Sequence, residues 1–177
     1  MSEHEPSTYT GASTTSLLGA AGEHYVMAEL LRRGFIASLA PQGVPNMDIV
    51  VADISGTQLC AVQVKARLDK GSDGGWHMRP KHEELVSDRL FYAFVDFGGS
   101  VENTPRTYIM PSLKVAEVLS RSHASWLSIP GHNGRVRQDS TVRRLLPSYD
   151  YAFRPNPNPY PLGWMDPFRG AWHLLRG

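Results

Sequence analysis

Residues 46–65 read NMDIVVADISGTQLCAVQVK and decide how the rest of the chain is interpreted. Two apolar runs, residues 48–51 and 59–64, flank an Ile-Ser-Gly-Thr turn signal. Short apolar runs on either side of such a turn are typical of neighbouring antiparallel strands. The stretch therefore predicts a hairpin.

Polar side chains lie at defined positions of this hairpin. Asp48 opens the first strand, and Gln63 and Lys65 are two residues apart on the second, so both point to one face while Val64 points to the other. The hairpin can bring Asp48 within reach of Gln63. The Asp48 carboxylate, the Gln63 side-chain oxygen and the Val64 backbone carbonyl are hard oxygen ligands suited to Mg²⁺ or Mn²⁺. Beside such a metal, Lys65 could orient or help deprotonate a water and stabilise charge on a phosphate.

A helix precedes the hairpin. Apolar residues recur at helical intervals from Ser16, and Gly34 supplies a left-handed stop after two arginines. Glu23 lies on this helix and could hold a metal-bound water or a second cation. Residues 35–39 form another short run, so the sequence predicts a helix followed by an antiparallel meander of three strands.

The region after the hairpin is predicted to alternate between helices and strands. We expect a Gly-rich loop at residues 70–80, a helix at 81–88, a strand at 90–97 pairing with 106–110, and a second helix capped by Ser112. The fold class is then α/β, with a mixed central β-sheet flanked by helices in the order αβββαβ.

Composition indicates one globular domain with two appendages. The chain has 177 residues, of which 41% are hydrophobic, enough for one well-buried core. We expect a flexible N-terminal tail at residues 1–15, a core domain at 16–124, and a C-terminal extension at 125–177 whose Pro-rich arm docks on the core through Trp164, Phe168 and Trp172.

Charge and cysteine content exclude several classes of protein. The formal net charge is +1, so any contact with nucleic acid must come from a local patch. The single cysteine, Cys60, excludes an intramolecular disulfide framework and a cysteine-based zinc cluster, and it fits a reducing cytoplasm. No stretch reaches the roughly 20 apolar residues of a membrane span. We therefore expect a cytoplasmic protein without membrane contact.

The motifs resemble those of a known family. Gly22-Glu23, then Asn46 to Val50, then Val62-Gln63-Val64-Lys65 are similar to the PD-(D/E)XK nuclease superfamily, particularly its group I intron endonuclease-like and Holliday-junction-resolvase-like branches. Trp76 and the segments 91–96 and 109–112 also resemble uncharacterised bacterial proteins with this core. The resemblance implies a restriction-endonuclease-like fold.

The resemblance also implies roles for individual residues. Glu23, Asp48 and Gln63 would be the metal-site residues, with the Val64 carbonyl as a further ligand, and Lys65 the catalytic lysine. Two positions depart from the family pattern: Met47 replaces a proline, and Gln63 replaces an acidic ligand. An amide removes one negative charge from the site and should weaken cation binding, although glutamine occurs here in active branches.

Residues near the Gly-rich loop are candidates for nucleic-acid contact. Trp76 with His77 could stack on a base, or Trp76 could pack over the sheet edge, which we favour. Arg79, Lys81 and Lys70 could contact phosphates. The four arginines Arg135, Arg137, Arg143 and Arg144 could face DNA or simply be solvated. His24, His77 and His82 are more typical of surface residues than of metal ligands or general bases, because they lack the helical spacing of a zinc site.

The resulting hypothesis is a Mg²⁺-dependent DNA endonuclease, and the resemblance to nucleases that often act as dimers makes a homodimer one expectation. Two alternatives remain open. The fold could be retained without catalysis in a protein that binds nucleic acid or a partner protein, or the aromatic C-terminus could serve assembly. Burial of Trp164, Phe168 and Trp172 within the same chain would count against assembly.

Overall fold

A computed structural model describes residues 14–57, 59–69, 74–154 and 156–176. The two α-helices and seven β-strands of these residues are α1 (Thr14–Leu31), β1 (Ile36–Leu39), β2 (Ile49–Ala52), β3 (Leu59–Arg67), β4 (Trp76–Met78), β5 (Leu90–Asp96), β6 (Arg106–Pro111), α2 (Ser112–Ser128) and β7 (Arg143–Leu145). Short 3-10 helices lie at Pro80–Glu83, His132–Gly134, Asp166–Phe168 and Trp172–Arg176.

The central sheet has five strands in the order β1-β2-β3-β5-β6. β1, β2 and β3 form an antiparallel meander, β3 pairs in parallel with β5, and β5 pairs antiparallel with β6. The sheet is therefore mixed, with α1 on one face and α2 on the other, and the predicted α/β fold class is confirmed. The predicted pairing of the two later strands is confirmed as well.

The connection from β3 to β5 differs from the prediction. A parallel pair needs a crossover connection, which is usually an α-helix. The prediction of a helix at residues 81–88 is wrong. Only one 3-10 turn forms there, Pro80–Glu83, and it follows the short strand β4. Pro80 fixes the first turn, and the polar residues after it offer no apolar stripe that could hold a longer helix on the core. In the predicted order αβββαβ, the second helix is thus a single 3-10 turn, and it lies between β4 and β5.

Helix α1 lies unusually close to β3. A Cβ atom added at Gly22 would sit 2.7 Å from the Ala66 Cβ and 3.3 Å from the Val64 Cγ1. Only glycine allows this approach. Since the next residue is Glu23, the close packing at Gly22 also fixes where that carboxylate emerges beside the sheet.

We expect Gly22→Ala to destabilise the fold by about 1–3 kcal/mol, because the added methyl group overpacks the α1–β3 contact. Gly19→Ala is the matched control: it lies in the same helix, and its Cβ would meet nothing within 4 Å. The control should stabilise the helix by about 0.5–1 kcal/mol. Urea unfolding of both variants measures the difference, and equal effects of the two substitutions would contradict this account.

Ser112 does not cap α2 as predicted. It is the first residue of the helix and is completely buried. Its hydroxyl donates to the Ser87 carbonyl at 2.8 Å and accepts from the Ser87 N–H at 2.9 Å. The hydroxyl therefore ties the start of α2 to the segment before β5 instead of satisfying the helix N–H groups.

The C-terminal residues pack on both faces of the sheet. Trp172 is buried in the core on the α1 side, while Trp164 and Phe168 pack against the core on the α2 side. The Trp164 indole N–H also donates to the Leu146 carbonyl at 2.9 Å. This docking counts against the assembly alternative, because these rings are already engaged within the chain.

The predicted division into tail, core and extension stays a prediction. Most of the predicted tail, residues 1–13, lies outside the described residues, and Thr14 and Thr15 already belong to α1. Across the part of the chain that the structure describes, no helix is both long enough and apolar enough to cross a membrane.

Candidate active site

Asp48 lies against β3 at the point where β2 begins. Its N–H donates to the Val62 carbonyl at 3.0 Å, and its Oδ2 accepts from the Val64 N–H at 2.7 Å. Ile49, the first residue of β2, pairs with Val62, so Asp48 lies just beyond the end of this ladder, beside Gln63 and Val64. The N–H and the carbonyl of one strand residue point to the same neighbouring strand. The Val64 carbonyl therefore faces the same side as its N–H, toward Asp48.

Gln63 presents a buried acceptor without a partner. The residue is 7% exposed, and among the described residues no donor satisfies its Oε1. A buried polar atom without a hydrogen bond costs about 1–3 kcal/mol. Native structures seldom keep such an atom without a reason, such as an ion that completes its environment.

Lys65 points to the same face of β3 as Gln63 and lies in the electrostatic field of the neighbouring charged groups. Burial lowers the pKa of its ammonium, the Asp48 carboxylate opposes that effect, and the Lys81 and Arg79 cations reinforce it. The ammonium therefore lies within electrostatic reach of the Asp48 carboxylate and of two cations, Lys81 and Arg79, and Lys81 and Arg79 line the same cleft.

Glu23 approaches from the other side of the sheet. Helix α1 packs on the face that carries Val64 and Ala66, opposite to the face of Lys65. Even so, the Glu23 pKa is raised, first by burial and then by the Asp48 carboxylate, while His24 and Lys65 lower it. The carboxylate thus lies within electrostatic reach of Asp48 and Lys65.

Glu29, the other acidic residue near the end of α1, faces away from this group. It pairs with Arg32 at 2.9 Å and with Arg33. These ion pairs connect Glu29 to the two arginines that follow α1. Glu23 is therefore the candidate acidic residue of α1 for the site.

A cleft of about 600 Å³ opens beside Lys65. Its far wall is formed by β4 and by residues 141–142, which lead into β7, the strand that pairs with β4. The lining is mostly cationic or polar and consists of Lys65, His77, Met78, Arg79, Lys81, His82, Thr141 and Val142. The structure therefore brings His77, Arg79 and Lys81 to one cleft, while Lys70 lies outside the described residues.

Trp76 is not available for base stacking, and that interpretation is wrong. Its side chain is 1% exposed, its indole N–H donates to the Val95 carbonyl at 3.0 Å, and its ring makes edge contacts with Phe94 and Tyr108. The Arg67 guanidinium lies over the ring at 4.5 Å. The packing alternative describes Trp76, since β4 alternates and places this ring inward and His77 outward.

The sequence did not predict the contacts that His82 and Asn46 make in this region. His82 was expected at the surface but is 2% exposed, and its Nδ1 lies 2.9 Å from the Tyr92 hydroxyl. Burial and the nearby Lys65 and Lys81 cations lower the His82 pKa to about 4. Asn46 accepts a hydrogen bond from the Lys81 ammonium at 2.9 Å and adopts a left-handed φ of 67°. Its place two residues before Asp48 is the one sequence signal that could have indicated its role.

The site differs from an ordinary transition-metal cluster. Within the described ranges, no three His, Cys, Asp or Glu side chains group closely enough to hold a metal ion. Any cation here must therefore rely on an amide and a backbone carbonyl in addition to the carboxylates.

Comparisons with known proteins find similar solved structures. One is a bacterial homing endonuclease, I-Ssp6803I, which is 17% identical in sequence; the similarity covers 94% of this chain and 92% of that chain, with a TM-score of 0.48. Another is Hjc, a Holliday junction resolvase from the archaeal hyperthermophile Archaeoglobus fulgidus, 14% identical, covering 80% of this chain and 91% of that chain with a TM-score of 0.42. Both likenesses concern the fold alone. No protein-family model and no curated protein sequence matches the chain.

Proposed function

We propose that the protein is a metal-dependent endonuclease that hydrolyses phosphodiester bonds in DNA. The observation that carries the proposal is the buried, unpartnered Gln63 Oε1 next to the residue that Asp48 contacts, Val64, with Lys65 on the same face of the strand as Gln63. An acceptor, a carboxylate and an ammonium in one place are the groups that divalent-metal phosphodiester hydrolysis requires.

The residues present fit a hard divalent cation such as Mg²⁺ or Mn²⁺. Asp48 uses Oδ2 for the Val64 N–H, which leaves Oδ1 for a cation beside the Gln63 oxygen and the Val64 carbonyl. Burial raises the Glu23 pKa most and the Asp48 carboxylate raises it further; a cation between the two carboxylates would relieve the second effect. When bound, the ion would polarise a phosphate oxygen and make a water more acidic.

The side chains of the chain have separable tasks in this reaction. Lys65 donates a hydrogen bond to the phosphate and stabilises the negative charge that grows on it. The same ammonium can also orient the attacking water by donating a hydrogen bond to its oxygen. Glu23 can accept a hydrogen bond from a water on the α1 side.

The cleft supports DNA as the substrate. His77, Arg79 and Lys81 are exposed and line it together with Lys65. Although the net charge of the chain is only +1, several basic groups lie together beside the proposed site. Such groups bind backbone phosphates without regard to sequence, and the binding weakens as salt rises.

Cleavage assays with an Asp48→Ala variant test the proposal. We expect the purified protein to cut plasmid, linear or branched DNA in Mg²⁺ or Mn²⁺, and the variant to have lost this activity because it lacks the carboxylate ligand. Mn²⁺ should also raise the melting temperature of the wild type but not of the variant, since a ligand at 100 times its Kd stabilises by about 2.7 kcal/mol.

Asp88→Ala, which removes an exposed carboxylate just before β5, is the control and should retain both effects. Cleavage that survives Asp48→Ala would indicate a contaminant and refute the proposal. Salt-sensitive DNA binding without cleavage in the wild type would instead identify an inactive, DNA-binding member of the fold.

A further inference from the structure

A second cavity of about 200 Å³ lies between α2 and β7. Helix α2 contributes Ser122, His123 and Trp126, and the chain from β7 onward contributes Arg144 and Tyr151. The cavity thus combines aromatic rings with a guanidinium and a hydroxyl, and none of these residues belongs to the proposed catalytic group.

The cavity adjoins the proposed catalytic cleft. Val142 lines both of them. Strand β4 and strand β7 also pair so that His77, in the wall of the cleft, is directly opposite Arg144, in the wall of the cavity. Cross-strand partners in a sheet project from the same face. Basic groups therefore continue from the cleft over the outer face of this small sheet into the cavity.

One wall of the cavity is a fixed aromatic stack. The Arg137 guanidinium lies 4.6 Å from the centre of the Trp126 ring, and the His123 ring lies nearly parallel to it at 5.6 Å. His123 is held in turn by Asp139 at 2.7 Å, which also pairs with Arg143 at 3.2 Å. Asp139 is therefore already engaged by the Arg143 guanidinium and the His123 ring.

Tyr151 provides an accessible ring at the same cavity. It is 53% exposed. Arg144 lines the cavity together with this ring. Burial raises the pKa of the Tyr151 hydroxyl, and the Arg144 and Arg137 cations lower it. A half-open aromatic ring flanked by guanidinium groups is the arrangement with which proteins bind single-stranded nucleic acid, because bases stack on the ring while cations bind phosphates.

We propose that this cavity binds an unpaired nucleotide of the DNA strand that lies in the cleft, with the base against Tyr151 and its phosphate near Arg144. The inference rests on the proposed function and narrows its substrate to DNA that contains a single-stranded segment beside the scissile bond. A paired base cannot occupy the cavity, since it is held in the duplex stack and must first be extruded.

Binding of an oligonucleotide that carries 2-aminopurine, measured without divalent cations so that no cleavage occurs, tests the inference. In the wild type, 2-aminopurine fluorescence should fall on binding as the base stacks. Tyr151→Ala should abolish the quenching and weaken single-strand binding on the order of tenfold, which is the effect of losing one base–aromatic stack. Tyr151→Phe keeps the ring and should retain both properties.

The comparison between single-stranded and blunt duplex DNA decides the outcome. Tyr151→Ala should weaken single-strand binding more than duplex binding, and Ile36→Ala, at the exposed edge strand β1, should change neither. Equal losses on both substrates, or quenching that persists in Tyr151→Ala, would overturn the inference. The binding results do not depend on cleavage. Failure of the proposed nuclease function would appear in the cleavage assay, as no cleavage or as cleavage that survives Asp48→Ala, and it would leave the fluorescence result unaffected.

Discussion

Replacing Lys65 with methionine is expected to lower the turnover number for DNA cleavage by about 10²–10³-fold. In the proposed reaction the ammonium stabilises the negative charge that develops on the phosphate, and removing one such preorganised donor costs a few kcal/mol of transition-state stabilisation. Methionine has similar length and suits the half-buried position on β3, so the fold should be retained. Single-turnover cleavage with saturating protein isolates this step from DNA binding.

Lys81→Met is the matched control. Lys81 is a lysine of the same cleft, but it is exposed and hydrogen bonds to Asn46. We expect this variant to bind DNA more weakly and with a salt dependence reduced by about one phosphate contact, while single-turnover cleavage at saturation changes little. If Lys65→Met behaved like Lys81→Met, Lys65 would be a binding residue and not a catalytic one.

Asp96→Ala is expected to destabilise the fold by about 3–5 kcal/mol, the usual cost of removing one partner from a buried ion pair. The Asp96 side chain is 1% exposed and accepts from Arg67 at 2.8 Å, from Arg106 at 2.7 Å and from the Gly98 N–H at 2.9 Å. Without it, the Arg67 guanidinium, whose side chain is 10% exposed, stays in the interior uncompensated. Urea unfolding at neutral pH measures the loss.

The same carboxylate predicts a pH dependence. Burial alone would raise the Asp96 pKa, but the Gly98 N–H and the two arginines outweigh it and hold the pKa below its ordinary value. Its stabilisation is therefore complete above the unfolded-state pKa of about 4 and is lost as the pH falls through the lower folded-state value. In Asp96→Ala, this part of the acid destabilisation should disappear.

The exposed partner provides the control for this cluster. The Arg106 side chain is 45% exposed, so Arg106→Gln should cost only about 0–1 kcal/mol. A large loss in Arg106→Gln with a small one in Asp96→Ala would show that the carboxylate is not the centre of the cluster.

The parts of the fold that follow from local patterns were predictable. The α1 periodicity, the glycine after it and the turn between the apolar runs indicated the helix and the meander correctly. The period-two alternation also placed Gln63 and Lys65 on one face of β3, and the Asp48 side chain does reach β3, where its Oδ2 accepts from the Val64 N–H. Each of these features depends on residues close in sequence, where propensity and pattern are informative.

The far wall of the cleft was not predictable in this way. β4 and β7 have three residues each, which is too few to show an alternation. The two strands pair although they are far apart in the sequence, at residues 76–78 and 143–145. The interpretation of Arg143 as a solvated or DNA-facing residue is wrong for the same reason. Its side chain is 5% exposed and bonds to Glu83, a partner that only the tertiary fold supplies.

The β4–β7 pairing has a consequence for synthesis of the protein. Domains begin to fold as the chain leaves the ribosome, N-terminal parts first. By the time α2 has emerged, the chain already contains Asp48, Gln63 and Lys65, but the strand that completes the far wall of the cleft has yet to be made. A nascent chain would hold the proposed catalytic residues beside an open flank, and the enclosed cleft would appear only when residues 141–145 arrive.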